Sequence, residues 1–371
     1  MKKLLLKLSI LSISLVLTSA AAINSTIPLI QEAHPELALS SIELLSTIPN
    51  IMVTICLFVS IFFVSKIGTK KTVLTGLTLS LIGGVTPFFV DNYLLMLISR
   101  AILGAGFGLF NSLAISLIYG FYSGEEATKM IGMQVAFQGL GNACMTLLAG
   151  VLLKINYQYA FLIYFIIIPI IILFMINVPD IKLTQEKQTI QLKSLQIPGL
   201  IIMLIVMMTC SATNVKLATL IVHKGIGSAT ASSVISSIVQ IASMLAGMYF
   251  GYVFTKIKNK VFCLAMICLS LQGIITCFST NIILIGIASL LGGIGSALFC
   301  PYMFNRYPSY IMTTGLLVVA NIGGFISPYY SLVLSSIHLV SDSASQVFLS
   351  SAIVYFIVLA IYLTIMKKET N

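Results

Sequence analysis

Apolar residues run in long blocks along this chain, and short polar stretches interrupt them. Six blocks fill the first half, at 5–27, 41–64, 72–90, 93–118, 128–152 and 159–177. Six more follow at 198–222, 230–254, 261–279, 281–303, 310–335 and 346–366. A helix crosses the hydrocarbon layer with about 20 apolar residues, and each block is near that length. Alternation with period two, which would mark half-buried strands, is absent. The pattern predicts an all-α polytopic membrane protein with twelve transmembrane helices.

The polar breaks carry the organisation. The longest lies between "NVPD" and "QIPG", residues 177–199, and separates two sets of six spans. It divides the chain into an amino-terminal bundle (1–177), a central loop (178–197) and a carboxyl-terminal bundle (198–371). The break from Pro28 to Ser41 ends in "SSIE", where Ser40 and Glu43 fit a capping box opening the second span. The basic start, apolar run and small residues of "MKKLLLKLSILSISLVLTSAAAINS" also fit a secretory signal. A first span held by its lysines is the reading that keeps the number of spans even.

Charge tests this division. With the amino terminus in the cytoplasm, 16 of the 20 basic residues fall in cytoplasmic segments. Only Lys154 and Lys224 fall outside, and Arg100 and Lys216 lie within spans. This is the asymmetry of the positive-inside rule, and a missed span would scramble it. Both termini are therefore expected in the cytoplasm of a multi-pass protein of the cell membrane. Composition agrees, with 58% hydrophobic and 8% charged residues against about 25% charged in soluble domains. The net charge of +10 is scattered over the cytoplasmic segments, so it points to anionic lipid and not to nucleic acid. Seven cysteines in apolar runs and three dispersed histidines indicate neither a disulfide framework nor a metal site, and no cofactor is expected.

One small phrase is written twice. "VSKIGTKK" (64–71) follows the second span and "FTKIKNK" (254–260) the eighth, at an offset of 190 residues. Two six-span halves with a basic phrase after the second span of each resemble the major facilitator superfamily. Its phrase there reads G-x-L-A-D-R-x-G-R-K. Ser65, Lys66, Gly68, Lys70 and Lys71 occupy this phrase in the first half, with Ser65 where the aspartate belongs. Gly251, Thr255, Lys256 and Lys260 occupy the second. In the fourth span "SRAILGAGFG", Arg100, Gly104 and Gly106 fit the family's R-x-x-x-G-x-G, while Gly104 and Gly108 form a G-x-x-x-G packing pair. Of the exporters' fifth-span pattern, Gly132, Gly141 and Gly150 remain, without its proline.

The resemblance implies two pseudo-symmetric six-helix bundles and transport of a small solute by a monomer. The family's missing aspartate latches onto a helix in the opposite half. Ser65 and Thr255 could accept a backbone N–H but bring no charge, so a looser cytoplasmic gate is expected.

Chemistry-bearing residues are few. All ten carboxylates lie in loops or at span ends, Glu43 and Asp91 being nearest to the membrane interior. Arg100 and Lys216 allow two readings each. Arg100 either hydrogen-bonds within the bundle or attracts an anionic solute; Lys216 either snorkels or does the same. Asn111, Gln134, Gln138, Asn142, Asn214, Gln240 and Asn321 are polar inside spans and form, with Lys216, the candidate solute cavity. Asn142 and Asn321 sit in corresponding spans of the two halves beside glycines, where each either lines the cavity or hydrogen-bonds between helices. There is no G-x-x-x-x-G-K-[ST], so energy must come from a gradient. A membrane enzyme would need converging catalytic groups that this chain lacks. A secondary carrier, exporting a drug or metabolite, leads over a facilitator, an anion-linked carrier and a non-transporting sensor.

Overall fold

The computed structural model describes residues 2–180, 196–307, 310–335 and 343–370. The central-loop residues Lys182, Glu186, Lys187 and Lys193, together with His338 and Asp342, lie outside the described residues, as do the side chains of Lys2, Glu125, Lys129, Lys367, Lys368 and Glu369. Fourteen α-helices and three 3-10 segments, with no strand, make up the described residues. Eleven helices are long and apolar enough to cross a membrane. A bent pair, Lys3–Leu15 with Ser19–Ala33, makes the twelfth span. By internal contacts the chain divides into Met1–Thr189 and Ile190–Asn371.

In the amino unit the first span is broken. Helix α1 (Lys2–Ser12) passes through 3-10 turns at Ile13–Leu15 and Ser19–Thr26 into α2 (Ile27–Ala33), with a bend of 42°. A continuous helix was expected at 5–27; tertiary contacts described below impose the break. The segment is built into the bundle: Ile10, Leu11, Ile13, Val16, Ala22, Ile23, Ile27 and Ile30 are all buried. Helices α3 (Leu39–Ile67), α4 (Thr69–Phe89), α5 (Tyr93–Phe121) and α6 (Gly124–Leu152) follow. The sixth span starts as a 3-10 segment (Tyr157–Ile166) and becomes α7 (Ile167–Asn177). Pro169 lacks the N–H that would reach Phe165, which disfavours a regular α turn there.

The expected capping box is not formed. Helix α3 begins at Leu39, its cap residue is Ala38, and no side chain caps it. Ser40 and Glu43 both lie inside the helix, and Glu43 is fully buried.

The carboxyl unit contains α8 (Ile197–His223), α9 (Ala229–Met248), α10 (Phe250–Ile257), α11 (Lys260–Phe278), α12 (Ile282–Arg306), α13 (Tyr310–Ser335) and α14 (Ser343–Thr370). The eighth span, expected at 230–254, is interrupted at Tyr249 between Gly247 and Gly251, neither of which packs against anything. Its core gathers Met203, Val206, Phe262, Phe299, Tyr302 and Tyr362, with the Phe262 and Tyr362 rings stacked 3.9 Å apart.

Candidate functional site

Two short stretches at the lysine-bearing ends of the units have matching geometry. In α3, Ser65 Oγ donates to Phe62 O (2.8 Å) and Lys66 Nζ sits 4.4 Å over the Phe62 ring. In α10, Thr255 Oγ1 donates to Tyr252 O (2.8 Å) and Lys256 Nζ sits 4.5 Å over the Tyr252 ring. Both hydroxyls donate back into their own helix. Each helix then ends in a residue with positive φ, Gly68 (+86°) and Lys258 (+45°). Lys258 stands at the 190-residue offset from Gly68, and it is the one non-glycine among the described residues in that region of backbone space. Both helix ends share a positive φ, although ψ differs (165° at Gly68, −125° at Lys258), and holding it without glycine costs about 1–3 kcal/mol.

The acid missing at position 65 has a local counterpart. Asp180, just beyond α7, places Oδ1 3.4 Å from the Lys70 backbone N–H in the first turn of α4. Lys70 Nζ donates to Met175 O at 2.7 Å. A carboxylate at a helix N-terminus interacts favourably with the helix dipole. Glycine is favoured at position 68 by its φ of +86°; a Cβ there would meet Asp180 Oδ2 only at an ordinary contact distance of 3.4 Å. Asp180→Asn should cost the protein about 0.5 kcal/mol, and less at high salt. Chemical unfolding at two salt concentrations measures this, and an effect independent of salt would exclude the dipole as its source.

Arg100 is enclosed, with no exposed surface. Its Nε donates to Leu45 O (3.0 Å), one terminal nitrogen to Tyr164 Oη (2.9 Å) and the other to Ala20 O (2.7 Å). Tyr164 Oη in turn donates to Ser19 O (3.0 Å). Ser19 and Ala20 belong to the break in the first span, whose carbonyls a regular helix would otherwise satisfy. Arg100 and Tyr164 therefore supply donors to the broken helix and join the first, second, fourth and sixth spans. This geometry gives the buried guanidinium a hydrogen-bonding role within the amino unit.

The glycines of the fourth span are contact points. A Cβ on Gly104 would lie 2.5 Å from Pro49 Cα and O of α3, and one on Gly108 2.7 Å from Val53 O. A Cβ on Gly106 would lie 2.4 Å from Gly76 O of α4. The carboxyl unit repeats this arrangement. Gly293 meets Ser243 and Val239 of α9, and Gly295 meets Ala265 O and Leu269 of α11, 189 residues after Gly104 and Gly106. The sequence reading passed over this second pair, although the 190-residue offset of the lysine phrases pointed to it. Gly141 presses on the first-span break, where a Cβ would lie 2.0 Å from Leu15 O.

The polar residues inside spans are distributed as follows. Gln134, Gln138 and Asn142 share one face of α6, with Gln134 and Asn142 buried. Asn111 is half-buried on α5. On α8, Lys216 is buried and Asn214 exposed; two residues apart, they point to different sides of the helix. Lys216 is thus enclosed within the protein. Gln240 is half-buried on α9. Asn321 Nδ2 donates to Leu317 O of its own helix (3.1 Å).

At the end of the amino unit opposite the lysines, His34, Asp91 and Tyr157 meet from three connections. His34 Nε2 lies 2.9 Å from Asp91 Oδ1 and Nδ1 3.3 Å from Glu36 Oε1, while the Tyr157 hydroxyl donates to Asp91. No spacing signal could have joined residues 57 positions apart. The hydrogen bond to Asp91 leads in raising the His34 pKa, against a smaller lowering by burial. The hydrogen bond from Tyr157 leads in holding Asp91 below its ordinary value. A raised histidine pKa adds stability that is complete below about pH 6.5 and is lost as pH rises through the folded value. The depressed carboxylate adds stability above about pH 3.9 and loses it as pH falls through its folded value. His34→Gln should therefore lower the unfolding temperature by roughly 2 °C at pH 5.5 and leave it nearly unchanged at pH 8.5. Equal shifts at both values would show that the histidine acts only through packing.

With this geometry described, comparison with known proteins is decisive. The Major Facilitator Superfamily model matches residues 9–328. The chain belongs to this superfamily. Two crystal structures of the nucleoside transporter NupG, one of them a point variant, superpose with TM-scores of 0.76 and 0.79 at 14% identity. They cover 97% and 98% of this chain and 99% of theirs. A bacterial homologue of the human lysosomal transporter Spinster, in an inward-facing and unoccupied conformation, gives 0.73 at 11% identity over 96% of both chains. At such identities the likeness is one of fold. No curated protein matches the sequence. The chain is thus a multi-pass transporter of the superfamily, with the helical fold its apolar pattern predicts.

Proposed function

We propose that this protein is a secondary carrier of the cell membrane that moves a small organic solute by alternating access, with export of a drug or metabolite as one form of that activity. One observation carries the reading: two local devices recur at nearly one offset. These are the lysine-over-aromatic phrase with its left-handed turn and the glycine contacts of the fourth and tenth spans. Carriers built from two repeats alternate by moving one repeat against the other. The polar face of α6, Gln134, Gln138 and Asn142, is the part of the amino unit we assign to the solute, with Asn214 and Gln240 in the carboxyl unit. A monomer without a cofactor suffices for such a cycle.

Uptake and efflux in reconstituted vesicles test this, across cationic, neutral and anionic solutes, with and without a pH gradient. Nucleosides join the panel because a nucleoside transporter shares the fold. Movement of no solute would reject the carrier; binding without movement would favour a sensor.

Glu43 favours proton coupling as a second reading. It is the fifth residue of α3, about 6 Å along the helix from its first residue, and fully buried within the protein. An ionisable group enclosed in a span is a functional candidate by default. On α5, Tyr93 Oη donates to Ser41 O (3.0 Å) and Arg100 Nε to Leu45 O, so the residues on either side of Glu43 are gripped. Glu43→Gln should abolish stimulation by a pH gradient while solute exchange continues at equal pH. Wild-type rates indifferent to the gradient would leave a facilitator or an anion-linked carrier.

A further inference from the structure

A cavity of about 450 Å³ opens on the amino unit beside the first lysine phrase, lined by Ile67, Lys71, Leu74, Thr75, Thr78 and Leu79. Five of these six residues lie on one face of α4, and Ile67 closes the top from the end of α3. The lining is largely apolar, and its one charged group, Lys71, stands at the mouth in the first turn of α4.

The three lysines of the phrase differ in their engagement. Lys66 lies over the Phe62 ring and Lys70 donates to Met175 O. Lys71 is exposed and makes no hydrogen bond or ion pair among the described residues. At the 190-residue offset the carboxyl unit has Val261, which is fully buried, so this cation belongs to the amino unit alone.

The threonines show a second asymmetry. Thr72 and Thr78 return their hydroxyls to carbonyls four residues back, Gly68 O (2.8 Å) and Leu74 O (2.9 Å). Thr75 has the same option in Lys71 O and does not take it; its hydroxyl makes no hydrogen bond among the described residues. It lies one turn, about 6 Å, below Lys71 on the same face.

We propose that this groove holds one anionic phospholipid of the surrounding leaflet. The phosphate sits at Lys71, the glycerol ester accepts the Thr75 hydroxyl, and one acyl chain follows Leu74, Thr78 and Leu79. The order cation, hydroxyl, apolar wall along α4 is the order phosphate, ester, chain along the lipid. A free anion would use the lysine but leave the apolar floor unfilled, and a neutral lipid would forgo the lysine.

The test is lipid retention by the purified full-length protein, measured by native mass spectrometry during titration with phosphatidylglycerol, phosphatidylcholine or inorganic phosphate. Wild type should retain one phosphatidylglycerol more tightly than phosphatidylcholine. Lys71→Gln should weaken that lipid about fivefold, the worth of one lysine near a membrane surface, and leave phosphatidylcholine unchanged. Thr78→Phe, at an exposed position, should fill the groove and reduce retention of both lipids. Lys66→Gln should change neither. Equal loss in the Lys66 and Lys71 variants would reduce the site to a diffuse basic surface. Displacement of phosphatidylglycerol by inorganic phosphate would make it an anion site without a lipid. Unchanged retention in Lys71→Gln overturns the proposal, and Thr78→Phe decides independently should the lysine variant fail to fold.

Discussion

Arg100→Gln should unfold at a temperature lower by roughly 5–10 °C, a loss of about 2–4 kcal/mol as buried acceptors lose a charged donor. Glutamine is too short to serve Leu45 O, Ala20 O and Tyr164 Oη together. The Ala20 carbonyl suffers most. It lies at the break of the first span, and a buried acceptor left without a donor costs about 1–3 kcal/mol. Arg100→Lys should recover only part of the loss, because one ammonium group cannot reproduce the planar fork. Tyr164→Phe removes one acceptor of Arg100 and the donor to Ser19 O, so the Arg100 and Tyr164 changes should be strongly non-additive. Thermal unfolding of the two single variants and the double variant in detergent measures all of this. If Arg100 served instead to attract an anionic solute, unfolding would be unmoved and transport would fall selectively for anions.

That arginine shows what a linear reading could and could not reach. Its presence in an apolar span was visible at once, because a charge there demands a reason. The reason lay 80 residues away, in a first span whose apolar pattern reads as one continuous helix. Hydropathy registers how oily a segment is, and a 3-10 break among Ser19, Ala20, Ala21 and Ala22 leaves that unchanged. The span boundaries, by contrast, were legible to within a few residues almost everywhere, because twenty apolar residues in lipid leave the backbone no alternative to a helix. The capping box at Ser40 failed for a related reason. A local motif competes with tertiary packing, and Glu43 is drawn into the bundle by the close contact between α3 and α5. The lysine phrases were legible as a repeat, but their meaning was not. A carboxylate does reach the helix that follows the first phrase, but it comes from Asp180, 115 positions after Ser65.

The glycines of the fourth span allow the sharpest energetic prediction. Gly104 and Gly108 are one turn apart and meet α3, whereas Gly106 lies between them on the opposite side and meets α4. The two-residue spacing of G-x-G therefore lets one helix approach two neighbours, and Pro49 lacks an N–H where Gly104 lacks a side chain. Gly104→Ala and Gly106→Ala should each destabilise by about 1–3 kcal/mol, since the atoms met include backbone (Pro49 Cα and O, Gly76 O and Ser80 N) that cannot swing aside. Paired with each other, the two costs should nearly add, because they separate α5 from different partners. Paired along one face, Gly104→Ala with Gly108→Ala should cost less than the sum. Once α5 has been pushed off α3 by the first methyl, the second finds its space already opened. Gly293→Ala and Gly295→Ala should repeat the additive pattern in the carboxyl unit. Unfolding of the single and double variants in detergent reads the coupling directly, and a Gly104–Gly106 pair far from additive would mean that α3 and α4 move off α5 together.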